Sequence, residues 1–147
     1  MIKKNALIQF HFQAASALPA RRALKTYITS IFKKEKQPLG SVNIVFCDDQ
    51  YLLNLNRQFL QHDFYTDILS FPLSGPGEPL IADIYISTDR VRENAKSNQT
   101  SFQKELHRVI FHGILHFCGY KDKSPADIKK MRAMEDHFLE AYFRTKA

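Results

Sequence analysis

The segment His112-Gly-Ile-Leu-His116-Phe-Cys-Gly119-Tyr-Lys-Asp122 constrains this chain more than any other. Side chains four apart on a helix stack on one face, so a helix over this stretch presents the His112 and His116 imidazoles together. Gly119 follows His116 by three residues, where a left-handed residue ends a helix. The chain can then reverse and carry Asp122 back to the histidines. Two imidazoles and a carboxylate make a three-ligand set for a divalent cation, which leaves a fourth tetrahedral position open for catalysis. The predicted metal ligands are therefore His112, His116 and Asp122.

The neighbours of this pattern narrow its chemistry. Helical zinc peptidases place a glutamate base directly after the first histidine; here that position is Gly113. The glycine instead admits a strand or a substrate close to the helix. Glu105 lies seven residues before His112 and is expected to be solvent-exposed or ion-paired, with a contact to the ligand shell as the alternative. His107 points away from His112 by roughly 140°, at ~100° per residue. His11, His62 and His137 are isolated in the sequence.

A length of 147 residues suits one domain, here 1–147, with one core. No apolar run approaches the ~20 residues of a membrane span. The first eight residues are basic and then apolar, but Gln9 and His11 interrupt the patch and no small-residue cleavage site follows, so no signal peptide is read. Cys47 and Cys118 form no disulfide framework, which points to a reduced, cytoplasmic setting. The net charge of +6 favours an anionic partner, nucleic acid first. An ordinary basic soluble protein remains the alternative, because no lysine-rich tail stands out.

Periodicity places the motif in an alternating chain of strands and helices. Strands are expected over residues 6–12, at Val42, Ile44 and Phe46, over 68–71, and over 80–86. The last is apolar at nearly every position except Asp83, so it is expected to be central and covered on both faces. Asp83 is expected to make a structural hydrogen bond to a turn or helix end. A first helix starts at Pro19 with a stripe of Leu24, Tyr27, Ile28 and Ile31. A second, capped by Asp48 or Asp49, runs to about residue 60 and buries Leu52, Leu55, Phe59 and Leu60. A polar third helix follows Ser87 or Thr88. A capping box from Thr100 to Gln103 opens the motif helix. Ser124-Pro125 starts a last helix that packs through Ile128, Met131, Phe138 and Tyr142.

His112-Gly-x-x-His116-x-x-Gly-Tyr120 resembles the signature of the YbeY family, bacterial metal-dependent endoribonucleases that act in ribosomal RNA maturation. Asp63-x-x-Thr66-Asp67-Ile-Leu-Ser-Phe-Pro72, Ala82-Asp83-Ile84-x-Ile86-Ser87 and the stretch from Met131 to Glu135 are similar to further segments of that family. The resemblance implies an α/β (α+β) fold: a small, mixed, largely parallel four-stranded sheet covered by helices, with a central metal-binding helix. It implies cleavage of single-stranded ribosomal RNA, with ribosome components as partners. Two departures stand out. The family's third histidine is Asp122 here, a competent ligand that admits harder metals beside zinc. The family's functional arginine falls at Leu60, and Arg57, one helical turn earlier, is the candidate substitute.

The expected mechanism is metal-assisted phosphodiester cleavage, with one ion, zinc first, that polarises a phosphate oxygen and either activates a metal-bound water or stabilises the leaving oxygen. Arg57 is the expected catalytic cation, and Lys121 and Lys123 are expected to bind substrate phosphate. Two other functions fit the same residues. One is a non-catalytic ribosome assembly factor stapled by its metal; the other is a metal-dependent peptide or amide hydrolase, which the absent glutamate at Gly113 disfavours.

Overall fold

A computed structural model describes residues 7–146 of the chain, with the side chains of 145 and 146 excepted. Nine elements follow in order: β1 (Ile8–Phe12), α1 (Arg21–Lys34), β2 (Leu39–Cys47), α2 (Asp49–Leu60), β3 (Ile68–Pro72), β4 (Leu80–Ser87), α3 (Thr88–Ser97), α4 (Phe102–Phe117) and α5 (Pro125–Lys146). The four strands form one sheet in the order β1-β2-β4-β3. β1 and β4 each run parallel to β2, while β3 returns antiparallel on the β4 edge. The start of the first expected strand, and the basic and apolar stretch before it, lie outside the described residues.

Alternation in the strands builds the core. Ile8, Val42, Ile44, Phe46, Ala82, Ile84 and Ile86 point to one face of the sheet and are buried. Leu24, Ile28 and Ile31 of α1 cover that face from one side. Leu106, Ile110, Phe111 and Ile114 of α4 complete the core. α4 thus lies between the sheet and α5, whose Met131, Phe138, Leu139 and Tyr142 close over it. Gly113 is where α4 meets the sheet. A Cβ there would sit 2.8 Å from Ile68 Cδ1 and 3.4 Å from Ile84 Cδ1. The close approach that its sequence position suggested is therefore to strands β3 and β4.

Several local expectations are corrected. Helix α1 begins at Arg21 rather than Pro19, because Ala20 takes a left-handed conformation at φ 55° between them. α2 is capped by Asp48, whose carboxylate accepts from the Tyr51 N–H, but the helix is rotated from the expected phase. It buries Leu52, Leu53 and Asn56, and leaves Phe59 and Leu60 at 59% and 41% exposure. Asn56 turns inward because its amide donates to the Phe64 carbonyl and so holds the loop that follows. Ser101, not Thr100, caps α4, by accepting from the Lys104 N–H. The Gln103 amide donates instead to the Ala17 carbonyl, which removes the reciprocal half of the expected capping box.

β4 is internal to the sheet, but only one of its faces is fully covered. Ile81 is exposed, and Asp83 and Tyr85 are half-buried. Asp83 does play a structural part, within the sheet rather than at a turn: it accepts from Asn43, whose amide oxygen faces His11. Ile128 is exposed in the first turn of α5, while Leu139, outside the expected stripe, is buried. No helix among the described residues is long and apolar enough to cross a membrane.

Candidate metal centre

α4 carries the site in its last turns, where His112 and His116 line a pocket with Ile68, Leu69 and Ser70 of β3. His112 is partly buried and His116 is exposed near the helix end. The helix stops in a paired-hydrogen-bond cap. The Gly119 N–H donates to the His116 carbonyl and the Tyr120 N–H to the Leu115 carbonyl, with Gly119 at φ +100°. That turn reverses the chain and places Asp122 above the two rings. Asp122 Oδ2 lies 3.3 Å from His112 Nε2 and 3.2 Å from His116 Nε2. One ligand atom from each of the three residues falls within a 4.8 Å group.

This donor set fits a divalent ion. Ligand atoms each ~2.0–2.1 Å from a tetrahedral zinc stand roughly 3.4 Å from one another, close to the two separations from Asp122 Oδ2. The other nitrogen of His112 is already committed. Nδ1 lies 2.7 Å from Glu135 Oε2, and since a carboxylate can only accept, Nδ1 carries a proton, which leaves Nε2 as the nitrogen that can bind an ion. This is the outer partner that a metal-binding histidine usually has. Glu135 is buried on α5 and also accepts from Arg108 at 2.9 Å, with Arg132 at 3.3 Å.

The charges around the centre are coupled. Burial alone would raise the Glu135 carboxyl, but hydrogen bonds from His112 and Arg108 outweigh it and hold the group below its ordinary value. Burial alone would lower His112, yet the Glu135 hydrogen bond and charge, with Asp122, leave it above its ordinary value. Asp67, at the start of β3, lines the same cleft, and burial pushes its carboxyl up.

The three predicted ligands come together; the predicted cations do not join them. Arg57 pairs with Asp63 beyond the end of α2, and the guanidiniums on the cleft wall are those of Arg108 and Arg132. Lys121 faces a separate cavity with Tyr120, Glu35 and Lys130, and Lys123 is exposed. Glu105 is buried, contrary to expectation, and lines the cleft. Glu135 entered the sequence reading only through a resemblance. Its role, like those of Arg108 and Arg132, depends on the packing of α5 on α4, which no spacing within one helix reveals.

A family model described as Endoribonuclease YbeY matches residues 9–143. The chain belongs to the YbeY endoribonuclease family. The match takes in helices α1 to α4 whole, most of α5, both histidines and Asp122. As a YbeY member the chain is an endoribonuclease, a hydrolase. Among curated relatives, the Endoribonuclease YbeY of Flavobacterium psychrophilum is 43% identical over 136 residues, which is 92% of this chain and 96% of that protein. The Endoribonuclease YbeY of Cytophaga hutchinsonii is 42% identical, covering 94% and 96%. The solution structure of TM1509 from Thermotoga maritima is similar at a TM-score of 0.61 and 27% identity, covering 94% of this chain and 90% of that one. The expected α/β architecture, with its largely parallel four-stranded sheet and central histidine helix, is the observed one.

Proposed function

We propose that this YbeY-family chain is a single metal-dependent hydrolase domain, 1–147, that cleaves single-stranded RNA in ribosomal RNA processing and ribosome maturation. One divalent ion, zinc first, is held by His112 Nε2, His116 Nε2 and Asp122 Oδ2. The observation that carries the reading is the convergence of these three atoms while His112 Nδ1 is tied to Glu135. When bound, the ion supplies Lewis-acid polarisation of a phosphate oxygen and acidifies water.

The chain's own residues supply the rest. Glu135 fixes the tautomer and aim of His112. Arg108 and Arg132 set positive charge on the cleft wall, where a phosphodiester carries its negative charge. Arg57, Lys121 and Lys123 lie farther along the surface and bind flanking phosphates. Ribosome components present the RNA, and the cytoplasm, which the two unpaired cysteines suit, is the setting.

A stapling ion would be closed by four protein ligands. The cluster of three among the described residues supports an enzyme over a metal-stapled assembly factor. A peptidase reading lacks its base, since position 113 is glycine and packs against the sheet. The test is cleavage of single-stranded RNA and of peptides by purified protein, with and without chelator, beside His116→Ala. RNA cleavage that vanishes with chelator and in the variant is the expected result. Undiminished RNA cleavage by a metal-free His116→Ala preparation overturns the mechanism.

A further inference from the structure

Glu105 is outside the three-ligand cluster, yet it lines the same cleft. It is only 6% exposed, and its carboxylate accepts no hydrogen bond and joins no ion pair among the described residues. Arg108, one turn along α4, is its natural helix partner. That guanidinium turns away instead, to Glu135 at 2.9 Å and Asp136 at 2.6 Å. The Glu105 oxygens open onto the cleft and are not sealed in the core, so the N–H groups of a ligand can reach them.

The space in front of Glu105 is shaped to admit such a ligand. The metal cleft, a cavity of about 270 Å³, has Glu105 in its wall together with Arg108 and Arg132. The same three residues wall a second cavity of about 260 Å³, which runs toward the start of α4 and is completed by Asn98, Thr100 and Lys104. The two spaces therefore adjoin, with Glu105 in the wall that they share and cations around it.

We propose that the second cavity is a nucleotide subsite next to the scissile phosphate, and that Glu105 reads its base, selecting guanine. Single-stranded RNA offers its Watson–Crick edges to side chains. Guanine places two donors, N1–H and the N2 amino group, side by side, to match the two oxygens of one carboxylate. Cytosine and adenine set an acceptor beside their amino group, and uracil has one N–H between two carbonyls. Lys104 and Arg132 take the phosphate of that nucleotide. The inference rests on the RNA-cleaving reading above and adds a base preference to it.

The experiment measures fluorescence-anisotropy binding of labelled RNA hexamers to zinc-loaded protein, with cleavage followed in parallel. The hexamers are all adenine, or adenine with one guanine or one inosine. A guanine is expected to tighten binding about tenfold, the scale of one bidentate base contact. Inosine lacks the N2 amino group and should recover only part of that gain, a result that needs no variant. Glu105→Gln, isosteric and checked by thermal melting, should bind all hexamers alike. Lys104→Gln should weaken every hexamer and lower the salt slope by about 0.7 while keeping the guanine preference. A wild-type protein indifferent to guanine, or a folded Glu105→Gln that keeps the preference, overturns the subsite. Guanine-selective binding without cleavage would leave the subsite standing and sink the nuclease assignment of the centre instead.

Discussion

His112 of α4 and Glu135 of α5 meet at 2.7 Å, Nδ1 donating to a carboxylate that Arg108 also grips. One buried group thereby aims a metal-binding nitrogen and ties the last helix to the motif helix. Glu135→Gln keeps the shape but offers a weaker, reorientable partner. The expected result is a loss of ~10–100-fold in zinc affinity, the usual effect of removing such a partner. Isothermal titration at fixed pH reads it directly. Zinc affinity unchanged in a folded variant would separate the carboxylate from the metal centre.

Asp122 gives the site one negative charge that a neutral imidazole in its place would not. Neutral imidazoles favour zinc, and carboxylates extend the range toward harder ions. Asp122→His should retain tight zinc binding while weakening manganese relative to zinc. Asp122→Asn should weaken both. Competition titrations with the two ions check this; a manganese-to-zinc ratio that does not move would mean that Asp122 is no ligand.

The sequence disclosed the centre well because its parts are local. Two histidines one helical turn apart, a glycine that ends the helix and an aspartate just beyond it are all fixed by backbone geometry. The strands were legible for the same reason, since alternation in Val42, Ile44 and Phe46 needs no knowledge of partners. Contacts between distant elements were not. The phase of α2 depends on Asn56 reaching Phe64, and the burial of Glu105 depends on the elements packed against α4. Arg57 was a candidate only because it lies one helical turn before Leu60, where the resemblance puts the family's arginine, and it pairs with Asp63. Gly113 lies between these cases: its closeness to something was readable, and the identity of Ile68 and Ile84 as that something was not.

Asp67 should cost the fold stability at neutral pH. Burial raises its carboxyl above the ordinary aspartate value, so the folded chain holds that proton more tightly than the unfolded chain does. Its contribution is then favourable below the unfolded value of ~3.9 and is lost as pH rises through the folded value. Asp67→Asn should therefore raise the melting temperature of chelator-treated protein at neutral pH, with the advantage fading in acid. The same variant should cleave RNA more slowly, because it removes a carboxylate from the cleft. Melting curves across pH check the first part. A variant less stable than wild type at neutral pH would contradict the burial cause.

Gly119 tests whether the helix cap sets the metal site. At φ +100° it occupies backbone space that side chains resist, although nothing lies within 4 Å of where a Cβ would go. Gly119→Ala therefore meets no steric neighbour and is opposed by conformation alone, at a cost of about 1–2 kcal/mol. Part of that strain can be relieved only by opening the turn, which moves Asp122 away from His112 and His116. The variant should melt lower without metal and should also gain less stability from saturating zinc than wild type does, since ion binding must now close the turn. A cap that merely ended the helix would lower both melting temperatures equally. An equal zinc-induced rise in the two proteins would thus show that the position of Asp122 does not depend on the Gly119 turn.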